Sequence, residues 1–163
     1  MSLNNLFIQV FIYLTVSIVI SLCFNFVRKD SVSFISKELL KVESVDQLSK
    51  ESTEPSIKQI NLDIAKKLFF EDILFVDARA EEYYSEGHIP NSICHDNIDT
   101  LFLKLERKIF FDDAFVVYCS DDHCGSSEEL AISLQENGYS NIYVFKGGWK
   151  QWSESDLPFS KNE

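Results

Sequence analysis

A short apolar strand followed by a polar loop and a helix start, at residues 115–130, constrains the fold of this chain more than any other feature. Residues 115–118 are aromatic or β-branched and carry no charge, which is typical of a strand buried in a parallel sheet. The loop opens on Cys119, and Ser126 or Ser127 is predicted to cap the helix that follows. This order of elements places a cysteine at the end of a strand and opposite the amino end of a helix.

That position favours a reactive thiol at Cys119. Backbone N–H groups of the loop and the dipole of the following helix both favour negative charge, and therefore the thiolate over the thiol. The thiolate is the nucleophilic form of cysteine. We predict that Cys119 is the reactive residue of this chain.

Apolar strands alternate with amphipathic helices along the carboxy-terminal two thirds of the chain. Such alternation predicts βαβ units, and hence an α/β fold with a mostly parallel sheet flanked by helices. The predicted strands are residues 73–76, 92–94, 115–118 and 142–145, and the predicted helices include residues 65–70, 98–108 and 126–137.

Residues 6–27 are apolar and contain no charged side chain. A helix of this length spans about 33 Å, which is enough to cross a bilayer. A cleaved signal peptide fits less well, because no basic residue precedes the segment and no small-residue cleavage site follows it. A buried core helix is the other alternative, but the segment has no polar face. We predict one amino-terminal transmembrane helix at residues 6–27.

Basic residues follow this segment and none precedes it, which predicts a cytoplasmic carboxy-terminal part by the positive-inside rule. Arg28, Lys29 and Lys37 are the nearest of these basic residues. Residues 28–56 are predicted to form a juxtamembrane linker, and residues 57–159 the folded domain. The predicted localisation is therefore a single-pass membrane protein with its domain in the cytoplasm.

Charge and cysteine usage exclude several classes of function. The net charge of −11 and the pI of about 4.7 argue against a nucleic-acid partner, which requires basic patches. The cysteines are Cys23, Cys94, Cys119 and Cys124, and their spacing matches neither a zinc ribbon nor a CxxC motif. Cys119, His123 and Cys124 offer only three ligands on one short loop, so we predict no metal site and no cofactor.

Three motifs give residues 57–159 a resemblance to a rhodanese-like domain. All three occur in the order that the family has, and together they imply its parallel sheet with a cysteine cradled by a loop. The motifs are DAR at 77–79 with EY at 82–83 and GHIPNS at 87–92, VVYC at 116–119, and GGW at 147–149 with Trp152.

The first motif is interpreted as structural. The carboxylate of Asp77 can accept backbone N–H bonds at a strand end, and Arg79 can reach either Glu82 or Asp77. Gly87 is expected to supply a turn that a residue with a β-carbon would resist. His88 is expected to fix the loop by a hydrogen bond, with a role as acid or base as the alternative.

In active sulfurtransferases of this family the loop cysteine carries a persulfide, and Cys119 matches its position. The loop departs from the family pattern, because the usual arginine is absent and two aspartates are present. We therefore expect a polysulfide or a protein persulfide rather than thiosulfate as donor, with thiols of small molecules or proteins as acceptors. The missing arginine also argues against rhodanese-related phosphatases and arsenate reductases. The other loop residues are Ser120, Asp121, Asp122, His123, Gly125 and Ser126.

Cys124 has two interpretations in this C-x4-C loop. It is either a resolving thiol that attacks a modified Cys119 or a small residue packed under the loop. Cys94 is predicted to be a core cysteine. The predicted function is membrane-anchored sulfane-sulfur transfer through a persulfide on Cys119. The alternatives are a catalytically weak binding or scaffolding module and a thiol-redox protein that uses Cys119 and Cys124.

Overall fold

The computed structural model describes residues 3–27, 39–42 and 56–162. Two compact units are present, Met1–Glu38 and Leu39–Glu163. The strands are β1 (Leu40–Val42), β2 (Ser56–Ile60), β3 (Leu74–Asp77), β4 (Ala114–Tyr118) and β5 (Asn141–Phe145). The helices are α1 (Leu3–Val27), α2 (Leu62–Phe70), α3 (Glu81–Glu86), α4 (Ile98–Glu106), α5 (Ser126–Glu136) and α6 (Gly148–Ser153).

The strands described in the second unit form one parallel sheet in the order β1-β2-β5-β4-β3. This confirms the predicted α/β class and the parallel sheet flanked by helices. β1 lies inside the stretch for which the sequence predicts a linker, and it pairs with β2 at the edge of the sheet. β4 is internal, between β5 and β3, and Tyr118 pairs with Phe145 at its carboxyl end. Cys119 and Lys146 therefore follow neighbouring strands at the same level.

Two hydrophobic layers cover the two faces of the sheet, because side chains alternate along each strand. Tyr118 and Phe145 point to one face and pack with Trp152 and residues of α2. Val117 and Val144 point to the other face, where they pack with residues of α4 and α5. Since both layers are buried, the inner strand β4 is apolar on both of its faces, and its register is fixed.

The prediction of a strand at residues 92–94 is wrong. Only Ile93 forms a bridge there, to Val76 of β3. Its N–H donates to the carbonyl of Phe75 and its carbonyl accepts from the N–H of Asp77. The ladder stops at these bonds, and the Cys94 thiol turns instead toward the carbonyl of Arg79.

Helix α1 belongs to the first unit, and its described side chains are exposed, with Phe7 at 66 % and Phe11 at 68 %. The hydroxyl of Thr15 donates to backbone carbonyls one turn earlier, so its polarity is satisfied within the helix. Among the residues that the structure describes, no helix has the length and apolarity of a membrane span.

Candidate active site

The cysteine loop begins where β4 ends, and it is held from the side by α6. The N–H of Trp149 donates to the carbonyl of Cys119 at 2.8 Å, and the N–H of Lys150 donates to the carbonyl of Ser120, also at 2.8 Å. Cys119 is only 3 % exposed. The first turn of α6 therefore positions the backbone that carries the Cys119 sulfur.

Gly148 makes this contact sterically feasible. Its φ of +57° lies in the left-handed region, and a β-carbon at this position would overlap the carbonyl oxygen of Cys119. The GGW motif thus serves the cysteine loop directly, although the two segments are far apart in the sequence.

Cys119 and Cys124 are joined by a disulfide, with 6.1 Å between their Cα atoms. The loop therefore brings the two sulfurs to bonding distance, across a sequence separation of 5. Cys119 is buried, whereas Cys124 is half-buried. In this oxidised form neither residue carries a free thiol.

Asp121 shapes the loop from inside. Its carboxylate accepts the N–H of His123 at 2.9 Å, and its carbonyl accepts the N–H of Cys124 at 3.1 Å. These two backbone donors are consequently engaged within the loop and do not face a bound anion. Asp121 is half-buried, and Asp122 and His123 are exposed.

Helix α5 begins one residue earlier than a serine cap would allow, so the prediction of Ser126 or Ser127 as the cap is wrong. The capping residue is Gly125, whose carbonyl accepts the N–H groups of Glu128 and Glu129. Ser126 is already helical and Ser127 is buried. The two glutamates lie in the first turn, as predicted from the sequence.

An ion pair at the start of α5 was not found by the sequence reasoning. Nζ of Lys146 lies 2.5 Å from a carboxylate oxygen of Glu128, and the two side chains are 20 % and 31 % exposed. Lys146 follows β5 at the same end of the sheet as Cys119. It is therefore a cation near the cysteine loop, and Glu128 already neutralises its charge. The sequence shows a lysine directly before the GGW motif, but nothing in the sequence indicates that Glu128 is its partner.

Asp77 and Arg79 form a buried pair at the end of β3. Two guanidinium nitrogens and the backbone N–H of Arg79 donate to the Asp77 carboxylate, the shortest bond being 2.6 Å. Arg79 also donates to the carbonyl of Gly87. Burial by itself would lower the pKa of Arg79, but its hydrogen bond to Asp77 and the charge of that carboxylate raise it overall. Of the two partners predicted for Arg79, the structure selects Asp77, and Glu82 is exposed.

Gly87 is needed for packing rather than for a turn. Its φ of 167° is extended backbone, but a β-carbon there would lie 2.7 Å from the ring of Trp149. His88 is buried, and its Nδ1 lies 2.8 Å from the carbonyl of Tyr84, whose ring stacks on the imidazole at 3.8 Å. The backbone of His88 pairs with Ser160. These contacts fix the loop, and none of them involves Cys119.

Cys94 lies in the core, as predicted, at 6 % exposure. Burial, and next the negative charge of Asp77, raise the pKa of its thiol to about 12. Its S–H donates to the carbonyl of Arg79 at 3.1 Å. Such a thiol remains protonated at neutral pH and is therefore a poor nucleophile.

A cavity of about 350 Å³ adjoins the amino end of α5. Its lining includes Arg79, Asp96, Ser126 and Leu130. A larger cavity of about 580 Å³ lies at the amino ends of β3 and β4, which is the opposite end of the sheet from Cys119. The smaller cavity lies at the same end of the sheet as Cys119, and its lining includes Ser126, which follows the cysteine loop.

Comparison with known proteins agrees with this architecture. Residues 61–155 match the rhodanese-like domain family. The chain belongs to that family. A thiosulfate sulfurtransferase GlpE of Haemophilus influenzae is 30 % identical over 103 residues, which cover 63 % of this chain and 94 % of the relative. The GlpE of Pseudoalteromonas translucida is 32 % identical over 82 residues, covering 50 % of this chain and 74 % of the relative.

Solved structures share the fold of this rhodanese-like domain. The Alr3790 protein from Anabaena sp. superposes with a TM-score of 0.54 at 18 % identity, covering 63 % of this chain and 80 % of that one. A rhodanese-like domain protein from Staphylococcus aureus superposes with a TM-score of 0.50 at 24 % identity, covering 62 % and 96 %.

Proposed function

We propose that this rhodanese-like protein transfers sulfane sulfur through a persulfide on Cys119. The observation that carries the proposal is the position of this cysteine, enclosed at the end of an internal strand and opposite the amino end of α5. Membership of the rhodanese-like family and the relatives named thiosulfate sulfurtransferase support it.

In the proposed reaction the Cys119 thiolate attacks the sulfane sulfur of a donor, and the donor's remaining fragment leaves with the bonding electron pair. An acceptor thiolate or other nucleophile then takes the outer sulfur, which restores the Cys119 thiolate. The chain contributes a backbone held by Trp149 and Lys150 and a helix terminus that favours the anionic sulfur. Arg79 and Asp77 brace the neighbouring strand end.

The direct test is to load the reduced full-length Cys124→Ser variant, in which no second loop thiol can displace the added sulfur, with polysulfide under anaerobic conditions and locate added sulfur by peptide mass spectrometry. We expect one extra sulfur on the peptide that contains Cys119, removed when a small-molecule thiol is supplied as acceptor. A peptide that stays unmodified at every donor concentration would contradict the proposal and favour a binding module with a rhodanese fold.

The identity of the sulfur donor needs separate consideration, because the relatives are named thiosulfate sulfurtransferases whereas the cysteine loop of this chain is acidic. Asp121 engages two loop N–H groups, and the nearby Lys146 is already paired with Glu128. Both features weaken attraction for a dianion. We propose that uncharged or protein-bound sulfane sulfur is preferred over thiosulfate.

We expect Glu128→Gln to raise kcat/KM for thiosulfate by about 5-fold, because the freed Lys146 charge contributes about 1 kcal/mol toward an anion near the surface. The matched control is Glu129→Gln, which removes the same charge one residue further along the helix and leaves the Lys146 ion pair in place. Steady-state rates of the reduced proteins at low and moderate salt provide the measurement. An equal gain in both variants would assign the effect to net charge and not to Lys146.

The disulfide favours a second candidate, a thiol-redox protein that cycles between Cys119–Cys124 disulfide and dithiol. This candidate needs no sulfane sulfur. It predicts that dithiol substrates are oxidised by the disulfide form at a useful rate, while polysulfide leaves no persulfide on Cys119 either in the wild type or in Cys124→Ser.

We also propose that residues 6–27 anchor the protein in a membrane with the rhodanese-like domain on the cytoplasmic side. The support is the uncharged sequence, the basic residues that follow it, and the exposed apolar side chains of α1. Membranes from expressing bacteria, washed with alkaline carbonate, should retain the full chain and lose a variant without residues 6–27. Full-length protein in the wash would count against the anchor.

A further inference from the structure

We propose that a persulfide on Cys119 is resolved within the chain by Cys124, which releases the outer sulfur as hydrosulfide. The protein would then reduce sulfane sulfur to sulfide as well as pass it to acceptors. This inference rests on the proposed persulfide chemistry, and it adds a product and a role for Cys124.

Proximity is the first argument. The two sulfurs are bonded in the structure, so a thiol at Cys124 reaches the inner sulfur of a Cys119 persulfide without rearrangement of the fold. The turn centred on Asp121 holds the intervening residues, with the N–H of His123 on its carboxylate and the N–H of Cys124 on its carbonyl. An attack that is already oriented in this way gains a large effective concentration over a free thiol.

Access is the second argument. Cys119 is 3 % exposed, and an acceptor must enter the loop to reach its sulfur. Cys124 is half-buried within the same loop and has no such barrier. Cys94 cannot substitute for it, because its S–H is buried and bound to the carbonyl of Arg79.

The step balances without an added oxidant. The Cys124 thiolate forms a bond to the Cys119 sulfur, the bond between that sulfur and the outer sulfur breaks, and the electron pair leaves on the outer sulfur as hydrosulfide. The outer sulfur is reduced by two electrons, and the two cysteines are oxidised from dithiol to disulfide. A dithiol reductant, such as dithiothreitol in the test tube, returns the loop to its starting state.

The test compares the full-length protein with Cys124→Ser, each reduced, freed of reductant and given polysulfide under anaerobic conditions. Cys94→Ser is the matched control, since it removes a thiol outside the loop. We expect the wild type and Cys94→Ser to end as the Cys119–Cys124 disulfide and to release about one more equivalent of trapped sulfide per chain than Cys124→Ser. The Cys124→Ser protein should retain the added sulfur on Cys119. Cys124→Ala is a second variant if the serine variant does not fold.

The outcomes separate this inference from the proposed function. A wild-type protein that keeps the extra sulfur on Cys119 with both cysteines otherwise reduced would overturn the inference and leave sulfur transfer standing. Absence of added sulfur from Cys119 in Cys124→Ser, together with a dithiol in the wild type, would overturn both. Sulfide release that is equal in wild type and Cys124→Ser would also refute a role for Cys124.

Discussion

Replacing Cys119 with serine should lower sulfur transfer by at least about a thousandfold, because a hydroxyl forms no persulfide and the covalent route is lost. Transfer from polysulfide to a small thiol, followed as acceptor persulfide, gives the rate. The fold should be unaffected, since serine is close to cysteine in size and the backbone of residue 119 is held by Trp149. Circular dichroism and the urea midpoint of the reduced proteins check this.

Cys94→Ala is the control for the loss of a cysteine as such. Its thiol is buried, bound to the carbonyl of Arg79 and protonated at neutral pH, so its removal should leave the transfer rate unchanged. If Cys119→Ser retained transfer while Cys94→Ala lost it, the assignment of the nucleophile would be wrong.

The second large effect is expected at Asp77. Asp77→Asn keeps the size of the side chain but leaves the buried Arg79 guanidinium without its counter-charge, and the side chains of this pair are 0 % and 4 % exposed. Breaking a buried ion pair from one side costs about 3–5 kcal/mol, because the remaining charge stays desolvated. The free energy of unfolding from urea titration should fall by about that amount.

The exposed pair Lys67–Glu71 provides the comparison, with side chains 47 % and 51 % exposed. Glu71→Gln should change the free energy of unfolding by less than about 0.5 kcal/mol. A double variant, Asp77→Asn with Arg79→Met, should be more stable than Asp77→Asn alone, since it no longer buries an unpaired cation. Asp77→Asn as stable as Glu71→Gln would show that the buried pair contributes nothing net.

Local pattern was enough to predict the architecture around the cysteine. The uncharged residues before Cys119 have to be buried, and the glutamates after Gly125 suit the first turn of a helix. Such features depend on neighbours in the chain, and so they are readable from the sequence. The helix cap predicted at Ser126 or Ser127 is wrong, because Gly125 closes the first turn with its own carbonyl and needs no side chain.

The prediction of a short strand at residues 92–94 is wrong because it relied on the apolar character of the segment alone. The apolar character of Ile93 is real, and its side chain is buried. Whether a buried residue continues a ladder depends on the path of the chain beside it. Here the backbone leaves β3 after one bridge.

The parallel α/β class, the place of Cys119 at the end of a buried strand and the acidity of its loop could all be predicted before folding, because each follows from residues adjacent in the chain. The bond between Cys119 and Cys124, the pairing of Lys146 with Glu128 and the need for glycine at position 148 become visible only in the folded chain. These contacts depend on how the loop turns and on how α5 and α6 meet the carboxyl ends of β4 and β5. Strand register and helix docking set those distances, and neither is encoded in the spacing of residues along one segment.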